Sequence, residues 1–345
     1  MRYIIIHDTD HDGYASAWLL QHSLAQVNSN TPILCYPIVA GSDELPAVES
    51  GDHVYIVDKS YSHSQLIKLS LEVAVVTVVD HHKSFLDATW KEYQHSGLLA
   101  SIIYENSELV SLTLCVDKLE VLIDTRSAAC TLTAKFCDIN LKQHIPGMDA
   151  DYWFINYIAD RDIWKWALPD SKEINAGIHT FPLSFDTFDQ LYTGEIDKNQ
   201  CHERGVGILA YTETLFSTMT SVVHSEESSA YNRIMYYPCQ NVRVHNTTPT
   251  GEKPILVPIS LVVAPCPFTP LISDFGSYLL EHTKADVAIM WRPEYDGTLT
   301  RWYLYSIRSK NVDVSGIAVK HGGGGHPNAC GFKSMLPPAQ IHHLF

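Results

Sequence analysis

"RYIIIHDTDHDGYASAWLL", Arg2 to Leu20, decides the fold. The apolar run "RYIII" (2–6) has the composition of a buried strand, and "YASAWLLQHSLAQV" (14–27) has helical spacing. Between them Asp8, Asp10 and Asp12 crowd into five residues, with His7 and His11 interleaved and Gly13 following. Carboxylates that close repel, and burying one unpaired costs several kcal/mol or forces it to take up a proton. The stretch therefore demands something positive at the end of its strand.

Working outward, "PILCYPIV" (32–39), "GDHVYIVD" (51–58) and "VAVVTVVD" (73–80) read as strands, and "SHSQLIKLSL" (62–71) as a helix. This alternation predicts an α/β fold with a parallel sheet and helices on both faces. In such sheets ligands bind beyond the carboxyl ends of the strands. "VYIVD" ends at Asp58, and "VTVVD" ends at Asp80 before His81 and His82. Parallel pairing would bring these ends and "HDTDHDG" to one edge of one sheet.

Further on, "RSAACTLTAKFCD" (126–138) is expected to be a helix with Ser127 as N-cap, and "ADYWFINYIADRDIWKW" (150–166) a helix ending in an acidic turn. Residues 186–225 read as further helix. "SEESS" (225–229) and "NTTPTGEKP" (246–254) form a polar, turn-rich boundary zone. From Ile255 a second, smaller β/α pattern begins: a helix over 272–283, strands "DVAIMW" and "RWYLYSIRS", then "HGGGGHPNACGF" (321–332). The expected division is a catalytic domain over 1–190, a connector over 191–250 and a substrate-binding domain over 251–345. Residues 96–124 and 186–250 carry no functional reading.

A chain of 345 residues suits two domains, and 46% hydrophobic with 18% charged residues is a soluble globular composition. No run approaches the ~20 apolar residues of a membrane span. The N-terminus has no basic region followed by an apolar segment, so a cytoplasmic protein is expected. Eight cysteines without a C-x-x-C pair argue against a zinc ribbon or a disulfide framework and for reduced thiols. A net charge of −15 is wrong for a protein that coats duplex nucleic acid. It favours small or single-stranded substrates held by metal ions and a local basic patch.

Asp10, Asp12, Asp58, His81, His82 and Asp160 make a mixed oxygen and nitrogen ligand set, suited to Mn²⁺ or another hard-to-borderline ion rather than structural zinc. Two ions about 3.5–4 Å apart would share a carboxylate, activate a water and neutralise phosphoryl charge. Singly, each residue has a plainer reading: Asp58 as a turn residue, the histidine pair as surface or core. "DTDHDG" alone resembles a calcium-loop fragment, but no acid stands around Trp18 to complete it. Three strand ends with matched chemistry outweigh those readings.

These motifs, "DTDHDG", the "VD" at Asp58, the triplet Asp80-His81-His82 and the acidic turn at Asp160, resemble those of the DHH phosphoesterase superfamily. The tail "SIRSKNVDVSGIAVKHGGGGHPNACGF" resembles its associated C-terminal DHHA1 domain. The resemblance implies two Mn²⁺ ions, with Mg²⁺ or Co²⁺ as substitutes, in the cleft between the domains. It implies that Asp10 ligates one ion and Asp12 the other, that Asp58 bridges, and that His81 and Asp160 complete the ligands of the second ion. His82 would ligate or face the scissile phosphate, and Asp80 would orient an imidazole. Many members carry a histidine where Ile6 stands. The D-x-D-x-D-G spacing instead resembles the RecJ-like branch, making Asp8 the expected ligand with His7 as its competitor. Asp162 likewise competes with Asp160.

In the second domain, Gly323, Gly324 and Gly325 can bring backbone amides to an anion, and Arg308 with Ser309 precedes them. Between Trp291 and Ser334 six Lys/Arg stand against three Asp/Glu, a positive region in an acidic chain. These residues and His326 are the expected substrate contacts, whereas Tyr303 and Tyr305 on a strand read as core before base-stacking.

The expected activity is Mn²⁺-dependent hydrolysis of short single-stranded oligonucleotides, releasing mononucleotides, with Asp58, His82 and His326 as catalytic residues, as in RecJ-like and nanoRNase-like members. The alternative within the class is a phosphatase or phosphodiesterase of small nucleotides such as 3′-phosphoadenosine 5′-phosphate or linear or cyclic dinucleotides. A non-catalytic nucleic-acid-binding scaffold is the alternative from another class, but it predicts missing ligands and every motif here keeps its acids and histidines. The sequence leaves polarity, RNA against DNA, and oligomeric state open.

Overall fold

The computed structural model describes residues 1–39, 41–140, 152–223, 234–244, 255–266, 271–295 and 301–345. The chain divides into two compact units, Met1–Tyr211 and Thr212–Phe345. The segments 225–229 and 246–254, expected as the boundary zone, lie outside the described residues. No helix among the described residues is long and apolar enough to cross a membrane.

The first unit begins β1 (Tyr3–His7), α1 (His11–Val27), β2 (Ile33–Pro37), β3 (His53–Val57), α2 (His63–Glu72), β4 (Val75–Asp80) and α3 (Lys83–Tyr93). Next come three strands, β5 (Leu99–Glu105), β6 (Glu108–Val116) and β7 (Leu119–Asp124). Five helices follow: α4 (Ala129–Asn140), α5 (Trp153–Asp162), α6 (Ser171–Ile178), α7 (Phe185–Thr193) and α8 (Lys198–Val223). The sheet order is β2-β1-β3-β4-β7-β6-β5. Pairing from β2 through β7 is parallel, while β6 and β5 add antiparallel. Residues 99–124 are thus a meander that extends the parallel sheet.

Strand periodicity explains why both faces are covered. Ile4, Ile6, Val54, Ile56, Val76 and Val78 pack with Leu66, Leu69, Phe85 and Leu86 of α2 and α3. The alternate residues Tyr3, Ile5, Tyr55, Val57 and Val79 pack with Ala17, Leu20 and Leu24 of α1 and Leu132 and Phe136 of α4. Each such apolar side chain contributes about 1.5–3 kcal/mol on burial, so a register slip by one residue would misplace the whole core. That register is the one the site needs: His7 pairs with Val57, and Val57 with Val79. Asp8, Asp58 and Asp80 therefore follow one another along a single carboxyl edge.

Two helix boundaries differ from expectation. α4 begins at Ala129 rather than behind a Ser127 cap, because Asp12 binds the Ala129 and Cys130 amides that open the helix. α5 stops at Asp162 rather than running to 166, because the Asp160 carboxylate binds the Ala167 and Leu168 amides and draws the chain back.

In the second unit, β8 (Met235–Val244), β9 (Ile255–Pro265), α9 (Ile272–His282), β10 (Val287–Tyr295), β11 (Arg301–Ser309), α10 (Ser315–Lys320), β12 (Gly324–His326) and β13 (Ala329–Ser334) form a sheet of order β12-β13-β11-β10-β9-β8. Of these described strands, only β9 and β10 pair in parallel. Tyr303 and Tyr305 are buried among Val287, Ile289 and Phe332, the core role expected of them. The cysteines with described side chains are free thiols.

Candidate metal centre

The turn from β1 into α1 places the first carboxylates. Asp10 caps α1, its Oδ1 accepting the Gly13 amide at 2.9 Å. A Cβ on Gly13 would stand 2.5 Å from the Asp8 carbonyl oxygen, so only glycine lets the helix start this close to the strand end. Asp12 points inward and accepts the Ala129 amide on Oδ2 at 2.7 Å and the Cys130 amide on Oδ1 at 2.9 Å. The opening amides of α4 favour negative charge there.

Asp58 leaves β3 in a left-handed backbone (φ 55°), a conformation Asp tolerates better than most residues, and its amide donates to the Val79 carbonyl at 3.0 Å. His81 Nε2 then lies 3.2 Å from Asp58 Oδ1, 3.5 Å from Asp162 Oδ2 and 3.8 Å from Asp12 Oδ2. Asp12, Asp58 and His81 form one group able to hold a metal ion, and Asp8, Asp10 and Asp58 form another. Asp58 is common to both. A third group joins Asp58, Asp80 and His82. Asp80 Oδ1 accepts the His81 amide at 2.7 Å and meets His82 Nδ1 at 2.7 Å, fixing that ring.

Burial pushes the Asp58 carboxyl well above the usual carboxylate range, and Asp12, Asp10 and Asp162 add to the shift. Burial likewise raises Asp12, with Asp162 as the next contributor, and raises Asp162, with Asp10 next. Asp8 is raised by burial and by Asp10. Burial and the neighbouring His82 lower His81, keeping its imidazole neutral. Asp80 behaves oppositely: burial opposes its ionisation, but His82 prevails and holds it at about 2. His82 in turn is raised to about 9, since Asp80 outweighs burial.

This donor set fits a divalent cation. Asp58 Oδ1 and Asp162 Oδ2 are buried and accept no hydrogen bond, a condition that costs several kcal/mol unless a proton or a cation resolves it. Carboxylate oxygens with a neutral imidazole are the ligands that Mn²⁺ and similar ions take.

The two open choices fall differently. Asp8 joins Asp10 and Asp58, whereas His7 turns its Nδ1 to the Asp8 carbonyl at 2.7 Å and packs its ring on Tyr14. Asp160 is directed away from His81: Oδ1 accepts the Ala167 amide, and Oδ2 accepts the Leu168 amide and the Ser171 hydroxyl. Asp162 is the carboxylate that α5 presents to His81. Position in the motif favoured Asp160; the hydrogen-bonding of the following loop, which no local pattern encodes, occupies it.

In the second unit, Arg308 donates to the Ile307 carbonyl and, through Nη2, to Ser273 Oγ at 2.6 Å. Ser309 is buried, its hydroxyl donating to the Val312 carbonyl at 2.5 Å. Gly324, Gly325 and His326 pair with Gly331, Cys330 and Ala329 across the β12–β13 hairpin, and Gly323 leads into it. Gly325 has φ 132°, and a Cβ there would lie 2.5 Å from the Ala329 carbonyl oxygen, so this glycine is required by the hairpin itself.

No family model matches the chain. Over 195 residues it is 26% identical to an uncharacterized protein of Acanthamoeba polyphaga mimivirus, a match covering 53% of this chain and 38% of that protein. The chain thus spans well under half of that relative. Among solved structures, the DHH domain of a member of a family of ribosomal proteins superposes with a TM-score of 0.52 at 12% identity, covering 99% of this chain and 84% of that one. An exopolyphosphatase-related protein from Bacteroides fragilis gives 0.50 at 12% identity, covering 100% and 90%. The chain shares the fold of these two structures, one of which is a DHH domain.

Proposed function

We propose that the chain is a divalent-metal-dependent phosphodiester hydrolase acting on short single-stranded oligonucleotides and releasing mononucleotides. The observation that carries this reading is one buried carboxylate, Asp58, common to three groups of side chains able to hold a metal ion at the carboxyl edge of a parallel sheet. Asp8 and Asp10 would hold one ion and Asp12, His81 and Asp162 the other, with Asp58 shared. Mn²⁺, when bound, would supply Lewis-acid neutralisation of phosphoryl charge and lower the pKa of a water.

The chain's own groups do the remainder. Asp80 fixes His82 through Nδ1 and favours its protonated ring, from which Nε2–H would be a proton donor to a phosphoryl oxygen or a departing alkoxide. The neutral His81 keeps its lone pair for ligation. Asp12, braced by two amides of α4, has little freedom to move as charge changes beside it. Arg308, Gly323, Gly324, Gly325 and His326 are the proposed contacts for the substrate's phosphates, a guanidinium charge and glycine-rich backbone amides being suited to them.

The test is hydrolysis of end-labelled single strands of graded length, with Mn²⁺ and with chelator, beside 3′-phosphoadenosine 5′-phosphate and a cyclic dinucleotide. A variant with alanine at Asp80, His81 and His82 is the control. Stepwise, metal-dependent shortening that the variant lacks supports the reading. Turnover confined to the small nucleotides moves the protein to phosphatase chemistry, and metal-independent or absent turnover overturns the proposal.

A further inference from the structure

Immediately beyond Asp162 the chain turns through "IWKWALPD" (163–170), and both tryptophans take a left-handed backbone, Trp164 at φ 56° and Trp166 at φ 52°. Bulky residues in that region are outliers costing about 1–3 kcal/mol each, and they persist only where their surroundings impose them. Asp160 imposes this one. Its Oδ1 accepts the Ala167 amide at 3.0 Å, its Oδ2 accepts the Leu168 amide at 3.2 Å and the Ser171 hydroxyl at 2.5 Å, and its carbonyl accepts the Lys165 amide at 2.9 Å.

The outcome is a pair of indoles with ring centroids 5.0 Å apart, inclined at 74°. Trp164 is 39% exposed, which a role in the core would not allow. The Arg161 guanidinium stands 6.0 Å from the Trp164 ring and 5.9 Å from that of Trp166, and the Lys172 ammonium 5.9 Å from Trp166. An exposed Trp164 with a half-buried Trp166 beside it, flanked by cations, suits a ligand with a flat π-face and negative charge, which is a nucleotide. Trp164 lies two residues past Asp162, whose carboxylate approaches His81.

We infer that Trp164 and Trp166, with Arg161 and Lys172, are a stacking platform for a nucleobase of a single-stranded substrate, and that Asp160 is its positioning residue. The inference rests on the oligonucleotide reading above and narrows it to substrates that carry a base next to the scissile phosphate. It also gives Asp160 a task other than metal ligation.

The test separates this inference from that reading. Equilibrium dialysis of a labelled trinucleotide in chelator measures binding without turnover. Hydrolysis in Mn²⁺ is then compared for the intact trinucleotide and for versions abasic at each position in turn. Trp164→Ala and Trp166→Ala are expected to weaken binding and raise KM about tenfold or more for the intact substrate, a larger effect than on kcat. Trp164→Phe restores most of the loss, and for one abasic version the alanine variants match the wild type. Asp160→Asn reproduces the same base-dependent KM effect.

Unchanged binding and KM in both alanine variants, or a loss equal for intact and abasic substrates, overturns the platform. If the wild type hydrolyses nothing, the hydrolase reading falls. The dialysis result still decides the platform: wild-type binding weakened by Trp164→Ala sustains it, and no wild-type binding overturns it.

Discussion

In chelator, the protein is expected to lose stability between about pH 6.5 and 8.5, because its fold retains protons that the unfolded chain has already released. Burial raises Asp58 well above the usual range, and Asp80 overcomes burial to raise His82 to about 9. A group raised on folding stabilises fully below its unfolded pKa and loses that contribution as pH climbs toward the folded one. His7, His11, His81 and His179 are lowered, chiefly by burial, and act in the opposite direction. Their effect is confined below about 6.5, where the unfolded chain takes up the proton, so the window begins above them.

One proton held in excess by the fold changes stability by about 1.4 kcal/mol per pH unit, or about 2.7 kcal/mol across the window. At about 2–4 °C per kcal/mol for a unit of this size, the melting temperature falls by about 5–10 °C. Mn²⁺ at a hundred times its Kd restores about 2.7 kcal/mol. The gain is larger at pH 8.5 than at 6.5, since the metal displaces those protons. Scanning calorimetry at both pH values, with and without Mn²⁺, measures this for the wild type and Asp58→Asn, in which the Mn²⁺ effect is lost. A melting temperature in chelator that is flat or rising with pH, or an equal Mn²⁺ shift in Asp58→Asn, would refute the reasoning.

Three further outcomes are expected. Gly13→Ala drives a methyl into the Asp8 carbonyl and should destabilise by about 1–3 kcal/mol in denaturant melts while weakening Mn²⁺ binding. Asp80→Asn removes the carboxylate that keeps His82 charged, so the His82 ring, followed by NMR in chelator, should titrate well below its wild-type value of about 9. Asp162→Asn should weaken Mn²⁺ affinity about 10–100-fold, whereas Asp160→Asn should leave it within a few-fold by dialysis, since Asp160 faces the following loop and not His81.

The central sheet was legible because β-branched runs that end in acids need little context. "VYIVD" and "VTVVD" read as strands on composition alone, and parallel pairing then puts Asp58 and Asp80 in line. Residues 99–124 were harder, since Ser101, Ser111 and Thr113 dilute the alternation and nothing local announces an antiparallel addition to a parallel sheet. Asp160 and Asp162 illustrate a deeper barrier. Two residues apart on a helix they point about 200° apart, and which faces inward depends on how α5 packs on α1 and α4. The glycine run was read for anion binding, yet at Gly325 the close approach of β13 is sufficient reason for glycine.

The measurement that bears most directly on the metal centre is the number of Mn²⁺ ions bound per chain at saturation, by equilibrium dialysis with elemental analysis, in the wild type and Asp58→Asn. A shared Asp58 predicts two ions in the wild type and fewer than one in the variant. No bound ion in the wild type, or the same number in both proteins, would contradict the account.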